Sequence, residues 1–403
     1  MLSGNAANAL LALVIYYSMQ NRVYLDWNAT TPLRPEARAA MVAAYELVGN
    51  PSSVHAEGRE ARHLVEEARS TLAAAVGALP RNVIFTSAGT EANALALSPG
   101  LRSGNRGPVQ RLLVSAIEHA SVLAGGRFPA SAISTIRVTQ SGVVDLDHLR
   151  SLLASGPPAL VSIMAANNET GAIQPVAEAA RIVREVGGLL HIDAIQALGK
   201  IAFDINGLNA DLASFSAHKI GGPKGIGALV VAEELQGLEP LLRGGGQELG
   251  RRAGTENVAA IAGFGAAISA AIMALSEDVP RLITLRKRLE RGLHAIASTV
   301  VFSKDVERLP NTTLFTVPGL KAETAVIGFD LEGIAVSSGS ACSSGKVQPS
   351  HVLLAMGFDS QVAQGAVRIS LGWSTREADI DRCLEAWRKL GNSLLKDKRQ
   401  NTA

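Results

Sequence analysis

The chain of 403 residues has little cysteine, few aromatic residues and no excess of charge of either sign. Its two cysteines, Cys342 and Cys383, are too few for a disulfide framework or a zinc cluster, which is typical of a protein from a reducing compartment. We therefore expect a cytoplasmic protein without a metal site. The 38 basic and 36 acidic residues nearly balance, and no long basic block is present that would bind a nucleic acid.

Long apolar runs are scarce as well. The apolar stretch at residues 9–17 is far shorter than the ~20 residues that cross a bilayer, and no basic residue precedes it as in a secretory signal. We expect no membrane partner. Met19 lies just ahead of the first domain-like pattern, so we interpret residues 1–18 as a mis-assigned or added start.

Short apolar runs alternate with amphipathic segments between about residues 80 and 235. This alternation predicts an α/β domain with a mostly parallel sheet, whose strands are joined by right-handed crossovers. Strands are predicted at 83–87, 111–115, 160–164, 189–193, 212–216 and 228–231. Helices are predicted at 35–47, 56–76, 176–186, 259–275 and 279–296.

The pattern changes after residue 275. Strands are predicted at 312–317, 334–337 and 367–371, and helices at 322–329 and 376–390. This mixture is typical of a smaller α+β domain. We assign residues 28–275 to the large domain, and 1–27 together with 276–403 to the small domain.

Polar residues follow the predicted strands at their carboxyl ends, where open α/β sheets bind ligands. Gly89 and Thr90 begin a helix after the first strand, and free backbone N–H groups at a helix start suit a phosphate. Asp193 ends another strand, and Lys219 follows the next one. A lysine, an acid, an imidazole such as His119 and several phosphate donors are the set that pyridoxal phosphate requires.

Several longer motifs occur in a fixed order along the chain. They are Asn168-Glu, Asp193-Ala-Ile-Gln196, Ser214-Phe-Ser-Ala-His-Lys219-Ile-Gly-Gly-Pro-Lys-Gly, Gly244-Gly-Gly-Gln-Glu, Arg252-Ala-Gly-Thr255-Glu-Asn and Ser337-Ser-Gly-Ser-Ala-Cys342-Ser-Ser. The lysine motif resembles that of the class V aminotransferase-fold enzymes, and the other motifs resemble those of the cysteine desulfurases. The cysteine loop is similar to that of the first group of this family. The resemblance runs from about Val23 to about Trp387.

This resemblance implies a pyridoxal-phosphate-dependent transferase of fold type I that acts as a homodimer on L-cysteine. The implied catalytic residues are Lys219, which forms the Schiff base, Cys342, which is the nucleophile, and His119, which stacks on the ring and takes part in proton transfer. Asp193 would pair with the pyridine nitrogen and Gln196 with the phenolic oxygen. The implied cofactor-binding residues are Gly89, Thr90, His119, Asn168, Asp193, Gln196, Ser216, His218, Lys219 and, from the neighbouring subunit, Thr255.

The implied reaction removes sulfur from L-cysteine, whose carboxylate Asn168 and Arg368 would bind. The products are L-alanine and a persulfide on Cys342, which passes to an acceptor protein. An iron–sulfur scaffold and a tRNA-thiolation protein would use the same residues.

Two alternatives to this function stay open at this point. One is another enzyme of the same fold, such as an aminotransferase or a selenocysteine lyase, and the other is a non-catalytic, partner-binding paralogue. We interpret Cys383 as a packing residue of the last helix. We interpret the remaining histidines as structural or surface residues, namely those at 55, 63, 148, 191, 294 and 351.

Overall fold

The computed structural model describes residues 22–105, 107–296, 298–339 and 348–394; Cys342 and residues 1–18 lie outside this part of the chain. The strands are β1 (Val23–Tyr24), β2 (Val83–Thr86), β3 (Arg102–Ser103), β4 (Arg111–Ser115), β5 (Ile133–Ile136), β6 (Ala159–Met164), β7 (Leu189–Asp193), β8 (Leu212–Ser216), β9 (Gly227–Val231), β10 (Leu235–Gln236), β11 (Val300–Val301), β12 (Thr312–Thr316), β13 (Ile334–Ala335), β14 (Ser337–Ser338) and β15 (Val367–Ser370). The helices are α1 (Pro35–Tyr45), α2 (Ala56–Ala75), α3 (Gly89–Ala96), α4 (Ala120–Leu123), α5 (Leu146–Leu153), α6 (Val176–Glu185), α7 (Val258–Ile296), α8 (Ala322–Leu331), α9 (His351–Ala355), α10 (Ser360–Gln364) and α11 (Glu377–Leu394).

The large sheet of the described residues has the strand order β2-β9-β8-β7-β6-β4-β5. The strands from β8 to β5 pair in parallel, whereas β9 is antiparallel to both of its neighbours. Strands β6, β7 and β8 are buried along their whole length. Burial on both faces explains their continuous apolar runs, and the predicted mostly parallel α/β domain is confirmed.

Strand β5 and helix α5 are absent from the sequence prediction. β5 lies at the edge of the sheet, and its two central residues are exposed. It therefore lacks the apolar run that marks the inner strands. Helix α5 begins at a cap in which the Asp145 carboxylate accepts hydrogen bonds from the backbone N–H groups of Asp147 and His148, at 3.1 and 2.9 Å.

A second sheet, with the order β11-β12-β15-β14, is antiparallel and packs with helices α8 and α11. Trp387 lies at the centre of its core, where its ring centroid is 5.3 Å from that of Phe315 and 5.8 Å from that of Phe329. Cys383 belongs to the same core, and burial raises the pKa of its thiol to about 12. These elements confirm the predicted smaller α+β domain.

Helix α7 joins the two cores. It runs without interruption for 39 residues, so the prediction of two helices, at 259–275 and 279–296, is wrong. Pro280 lies inside this helix. Proline has no backbone N–H and is best tolerated in the first turn of a helix, so its position in the sequence resembles the start of a second helix. Phe264 in the first half packs in the large core, and Leu289 in the second half packs in the small core. The domain boundary at residue 275 stays a prediction.

Among the described residues, α7 is the helix that is long and apolar enough to cross a membrane. Half of its most apolar window is buried inside the protein, and the helix packs against α1, α2 and α11. Buried core helices share this length and composition. The packing of α7 is that of such a core helix.

A buried ion pair connects α2 to the segment that precedes α7. Nη1 and Nη2 of Arg69 lie 2.7 and 2.9 Å from the two carboxylate oxygens of Glu248, which also accepts a hydrogen bond from the backbone N–H of Phe85 at 3.0 Å. Glu248 and Leu249 have φ angles of 49° and 57°. Residues with a side chain rarely adopt such angles, so the ion pair holds a strained turn in place.

We expect Arg69→Met to lower the free energy of unfolding by about 3–5 kcal/mol, because the Glu248 carboxylate would stay buried without its partner. Urea denaturation measures this change. The exposed pair of Arg81 and Glu233 provides a control, because Arg81→Met should cost less than about 1 kcal/mol. Losses of equal size for the two arginine variants would contradict the prediction.

Candidate active site

A cavity of about 910 Å³, including the solvent at its mouth, lies at the carboxyl ends of the parallel strands. Such a volume suits a cofactor together with a small substrate. The predicted site residues that line it are Gly89, Thr90, His119, Asn168, Asp193, Gln196, Ser216, His218, Lys219 and Arg368. Thr255 lines a different cavity, together with Ser87 and Arg252. Cys342 lies outside the described residues.

Lys219 ends a single 3-10 turn that follows β8. Its Nζ donates hydrogen bonds to the backbone oxygens of Asn28 and Ala29, each at 2.7 Å. These two carbonyls orient the amine within the cavity. The sequence analysis missed Asn28 and Ala29, since a main-chain contact leaves no residue-type signal.

Asp193 ends β7, and its side chain is fixed by two donors. Asn93 Nδ2 donates to one carboxylate oxygen at 2.8 Å, and the backbone N–H of Ile195 donates to the other at 3.1 Å. Burial raises the pKa of Asp193, and these donors oppose that shift. Asn93 lies one turn after Gly89 on α3, so helical spacing was a signal that could have identified it.

His119 begins the turn of helix that follows β4. Its Nδ1 accepts a hydrogen bond from the backbone N–H of Ser121 at 3.1 Å and lies 2.8 Å from the Ser121 hydroxyl. Because a backbone N–H can only donate, Nδ1 carries no proton, and the neutral ring has its proton on Nε2. Burial lowers the pKa of His119, against the opposing effect of Asp193, while Lys219 lowers it further. The ring is therefore neutral at neutral pH.

One end of the cavity fits a phosphate group. Gly89 starts α3, and a Cβ atom there would lie 2.4 Å from Ile195 Cδ1 and 3.2 Å from Ser216 Cβ, so any larger residue would require the Ile195 side chain to move. The hydroxyls of Thr90 and Ser216 line the same cavity as the free N–H groups at the helix start. Burial lowers the pKa of His218 to about 4, which makes it a neutral neighbour of this end.

Arg368 reaches the cavity from β15 of the small sheet. Its Nη2 lies 2.8 Å from Asp26 Oδ1, and its Nη1 donates to the backbone oxygen of Asn168 at 3.0 Å. Among the described residues, its buried Nε has no hydrogen-bond partner. An arginine with an unused donor fits a small carboxylate ligand. The sequence analysis missed Asp26, which is 342 positions away along the chain.

Two other histidines lie near these strands. His191 is fully buried between the hydroxyls of Ser162 and Ser214, at 2.8 and 2.9 Å, and burial lowers its pKa to about 3. This confirms its predicted structural role. His351 lies closer to the cavity than expected, since its Nε2 is 3.0 Å from the backbone oxygen of Glu118, next to His119 in the chain.

Comparison with known proteins identifies the family. The sequence profile of aminotransferase class-V matches residues 23–383, so the chain belongs to the class-V aminotransferase family. The cysteine desulfurase IscS of Dictyoglomus turgidum is 40% identical over 377 residues, which cover 92% of this chain and 95% of that protein. The cysteine desulfurase of Cereibacter sphaeroides is 42% identical over 372 residues, which cover 90% and 94%. Within the class-V family, the chain is a member of the cysteine desulfurases.

Solved structures agree with this assignment. The NifS-like protein from Rickettsia africae is 37% identical and has a TM-score of 0.83, covering 92% of this chain and all of that one. The structure of SspA in complex with cysteine is 29% identical, with a TM-score of 0.71, covering 86% and 98% of the two chains. The predicted fold, that of the type I pyridoxal-phosphate transferases, is confirmed.

Proposed function

We propose that this member of the cysteine desulfurases uses pyridoxal phosphate to convert L-cysteine into L-alanine and a persulfide on Cys342. The main support is a single cavity that holds Lys219, Asp193 and His119 together with a carboxylate site at Arg368. The donor set fits the cofactor, because a helix start with hydroxyls suits its phosphate and a fixed buried carboxylate suits its ring nitrogen. The bound cofactor supplies an electron-withdrawing ring that stabilises negative charge on the substrate.

Each side chain in the cavity has a separate task. Gly89, Thr90, Ser216 and His218 would hold the phosphate, with His218 as a neutral donor. Asp193, fixed by its two donors, would hold a proton on the ring nitrogen. These residues bind and orient the cofactor before any bond changes.

The substrate is bound and deprotonated by three other residues. Arg368 and Asn168 would bind its carboxylate and so orient the α-carbon. Lys219, released from the cofactor, would take the α-proton at Nζ. His119 would cover the ring and exchange a proton through Nε2.

Cys342 would act as the nucleophile in sulfur transfer. Its thiolate would form a bond to the substrate sulfur while the substrate C–S bond breaks. The carbon fragment would take up two protons, one at the β-carbon and one returned to the α-carbon by Lys219, and leave as L-alanine. A free thiol with a pKa near about 8.5 is mostly protonated at neutral pH. We propose that His119 accepts this proton after it has given up its own proton from Nε2, or that a nearby cation stabilises the thiolate.

We also propose that the active form is a homodimer. Thr255 lies in a second cavity with Ser87, two residues before Gly89 and the phosphate end of the active-site cavity. A Thr255 from one subunit would then complete the phosphate site of the other. Size-exclusion chromatography with light scattering should give about twice the chain mass of 42.0 kDa.

The persulfide would pass to an acceptor protein in the cytoplasm. Two acceptors fit this chemistry, an iron–sulfur scaffold and a tRNA-thiolation protein. The low cysteine content supports this location, because it is typical of proteins from a reducing compartment. It also leaves few other thiols in the chain that could compete for the sulfur.

The direct test is product analysis. The purified chain, loaded with pyridoxal phosphate and given L-cysteine and a thiol reductant, should form alanine and sulfide in equal amounts. An aminotransferase would instead require an oxo acid and release a keto acid, and a selenocysteine lyase would act on selenocysteine but hardly on cysteine. A chain that binds no cofactor would support the non-catalytic paralogue.

A further inference from the structure

Lys200 is a buried lysine that lies behind the cavity. It is 8% exposed and is absent from the cavity lining, although it follows Gln196 by only four residues. Lysine is rarely buried, because removing an ammonium group from water is costly. The burial of Lys200 next to a cavity residue therefore indicates a specific role for its amine.

The contacts of the Lys200 amine are unusual for a lysine. Nζ donates to Gln196 Oε1 and, at 3.0 Å, to Asn28 Oδ1, and both acceptors are neutral amides. Burial lowers the pKa of Lys200 well below its usual range, and the cationic side chains of Lys219 and Arg368 lower it further. The contacts of the Lys200 amine therefore orient the two amides that accept from it and do not neutralise a carboxylate.

The contact with Lys200 determines the orientation of the Gln196 amide. Gln196 Nε2 donates to the backbone oxygen of Asn28 at 3.0 Å, while Gln196 Oε1 accepts from Lys200. A flipped amide would place two donors against each other and two acceptors against each other, so both hydrogen bonds would be lost. The second N–H of Nε2 therefore stays available to an acceptor in the cavity.

The same network reaches the reactive lysine. The backbone oxygen of Asn28 accepts from both Gln196 Nε2 and Lys219 Nζ, the latter at 2.7 Å. The Asn28 side chain is in turn held by Lys200 and by Thr312, whose hydroxyl lies 2.8 Å from Asn28 Nδ2. Lys200 thus contacts Asn28, whose carbonyl oxygen binds Lys219, and Gln196, which shares that carbonyl oxygen.

We propose that Lys200 is a positioning residue for cofactor binding. It fixes the Gln196 amide so that Nε2 presents an N–H to the phenolic oxygen of pyridoxal phosphate, and it holds Asn28 where its carbonyl orients Lys219. This inference rests on the proposed function, because it requires pyridoxal phosphate in the cavity.

The test is a titration of the cofactor-free chain with pyridoxal phosphate. Lys200→Met should weaken cofactor binding roughly tenfold, which corresponds to about one net hydrogen bond. The pH midpoint of the visible absorption of the bound cofactor should shift upward, since the phenolate oxygen loses a donor that stabilises its charge. Lys287→Met, at an exposed position on α7, is the matched control and should change neither value.

A double-mutant cycle shows whether Lys200 acts through Gln196. In a Gln196→Ala background, Lys200→Met should have a smaller further effect on cofactor affinity, limited to what Lys200 contributes through Asn28. Lys200→Gln keeps an N–H donor and should therefore retain most of the cofactor affinity. If Lys200→Met does not fold, the same comparison is made with Lys200→Gln.

Two results separate this inference from the proposed function. If Lys200→Met lowers the melting temperature but leaves both the cofactor affinity and the pH midpoint unchanged, Lys200 has only a structural role and the inference is wrong. If Lys200→Gln binds the cofactor tenfold more weakly and does so equally in the Gln196→Ala background, the inference is also overturned. If the unsubstituted chain binds no pyridoxal phosphate, the proposed function itself fails.

Discussion

A Cys342→Ser variant should form no persulfide from L-cysteine while it still binds pyridoxal phosphate. Serine keeps the size of the side chain but cannot accept sulfur, so alanine formation should fall at least about a thousandfold, as expected when a nucleophile is removed. Mass spectrometry of the protein after incubation with L-cysteine detects the added sulfur. Absorption spectroscopy of the same sample reports cofactor binding.

Cys383 provides the matched control for this experiment. It is fully buried in the small core, and a thiol with a pKa of about 12 is protonated at neutral pH. Cys383→Ala should therefore keep persulfide formation and lose about 1–2 kcal/mol of stability from the smaller side chain. Persulfide that persists in Cys342→Ser and disappears in Cys383→Ala would overturn the assignment of the nucleophile.

Lys219→Ala should lose both covalent attachment of the cofactor and activity. Alanine has no amine to bind the cofactor or to move the α-proton, so the rate should fall at least about a thousandfold. Borohydride reduction followed by peptide mass spectrometry should find the cofactor on Lys219 in the unsubstituted chain. The same treatment should label no lysine in the variant.

Lys224 is a suitable control because it is an exposed lysine in the same loop. Lys224→Ala should keep the covalent label on Lys219. Label that moves to Lys200 in the Lys219→Ala variant would show that the buried amine can replace the predicted one. Label on Lys224 in the unsubstituted chain would contradict the assignment of Lys219.

The sequence predicted most of the large sheet because its strands are buried on both faces. Burial of this kind requires runs such as Leu189–Asp193, which stand out without any knowledge of their partners. The edge strand Ile133–Ile136 is half exposed and gave no such run. Helix Val258–Ile296 is predicted as two helices because it contains Pro280. The sequence does not show that the packing of its two halves in the large and small cores keeps the helix continuous.

The site residues at strand ends were predictable for the same reason, since polar groups after apolar strands are conspicuous. Asp26 and Asn28 were missed because their partners are distant in sequence. Asp26 contacts Arg368. Asn28 contacts Lys200, which lies 172 positions away and also contacts Gln196, its neighbour at helical spacing. Contacts between such distant residues depend on the folded chain, and no local pattern of residue types encodes them.

Strand order also determines when the site can form during synthesis. Within the described ranges, strand β2, which leads into the phosphate end of the cavity, pairs with β9, about 140 residues later, and β1 pairs with β13 near residue 334. Arg368 emerges later still. A growing chain on the ribosome thus carries unpaired β1 and β2 until most of the protein has been made. The cofactor-binding residues are therefore synthesised well before Arg368, so the substrate site is completed last. Unpaired strands are prone to aggregation, which favours rapid completion of the chain or protection by a chaperone.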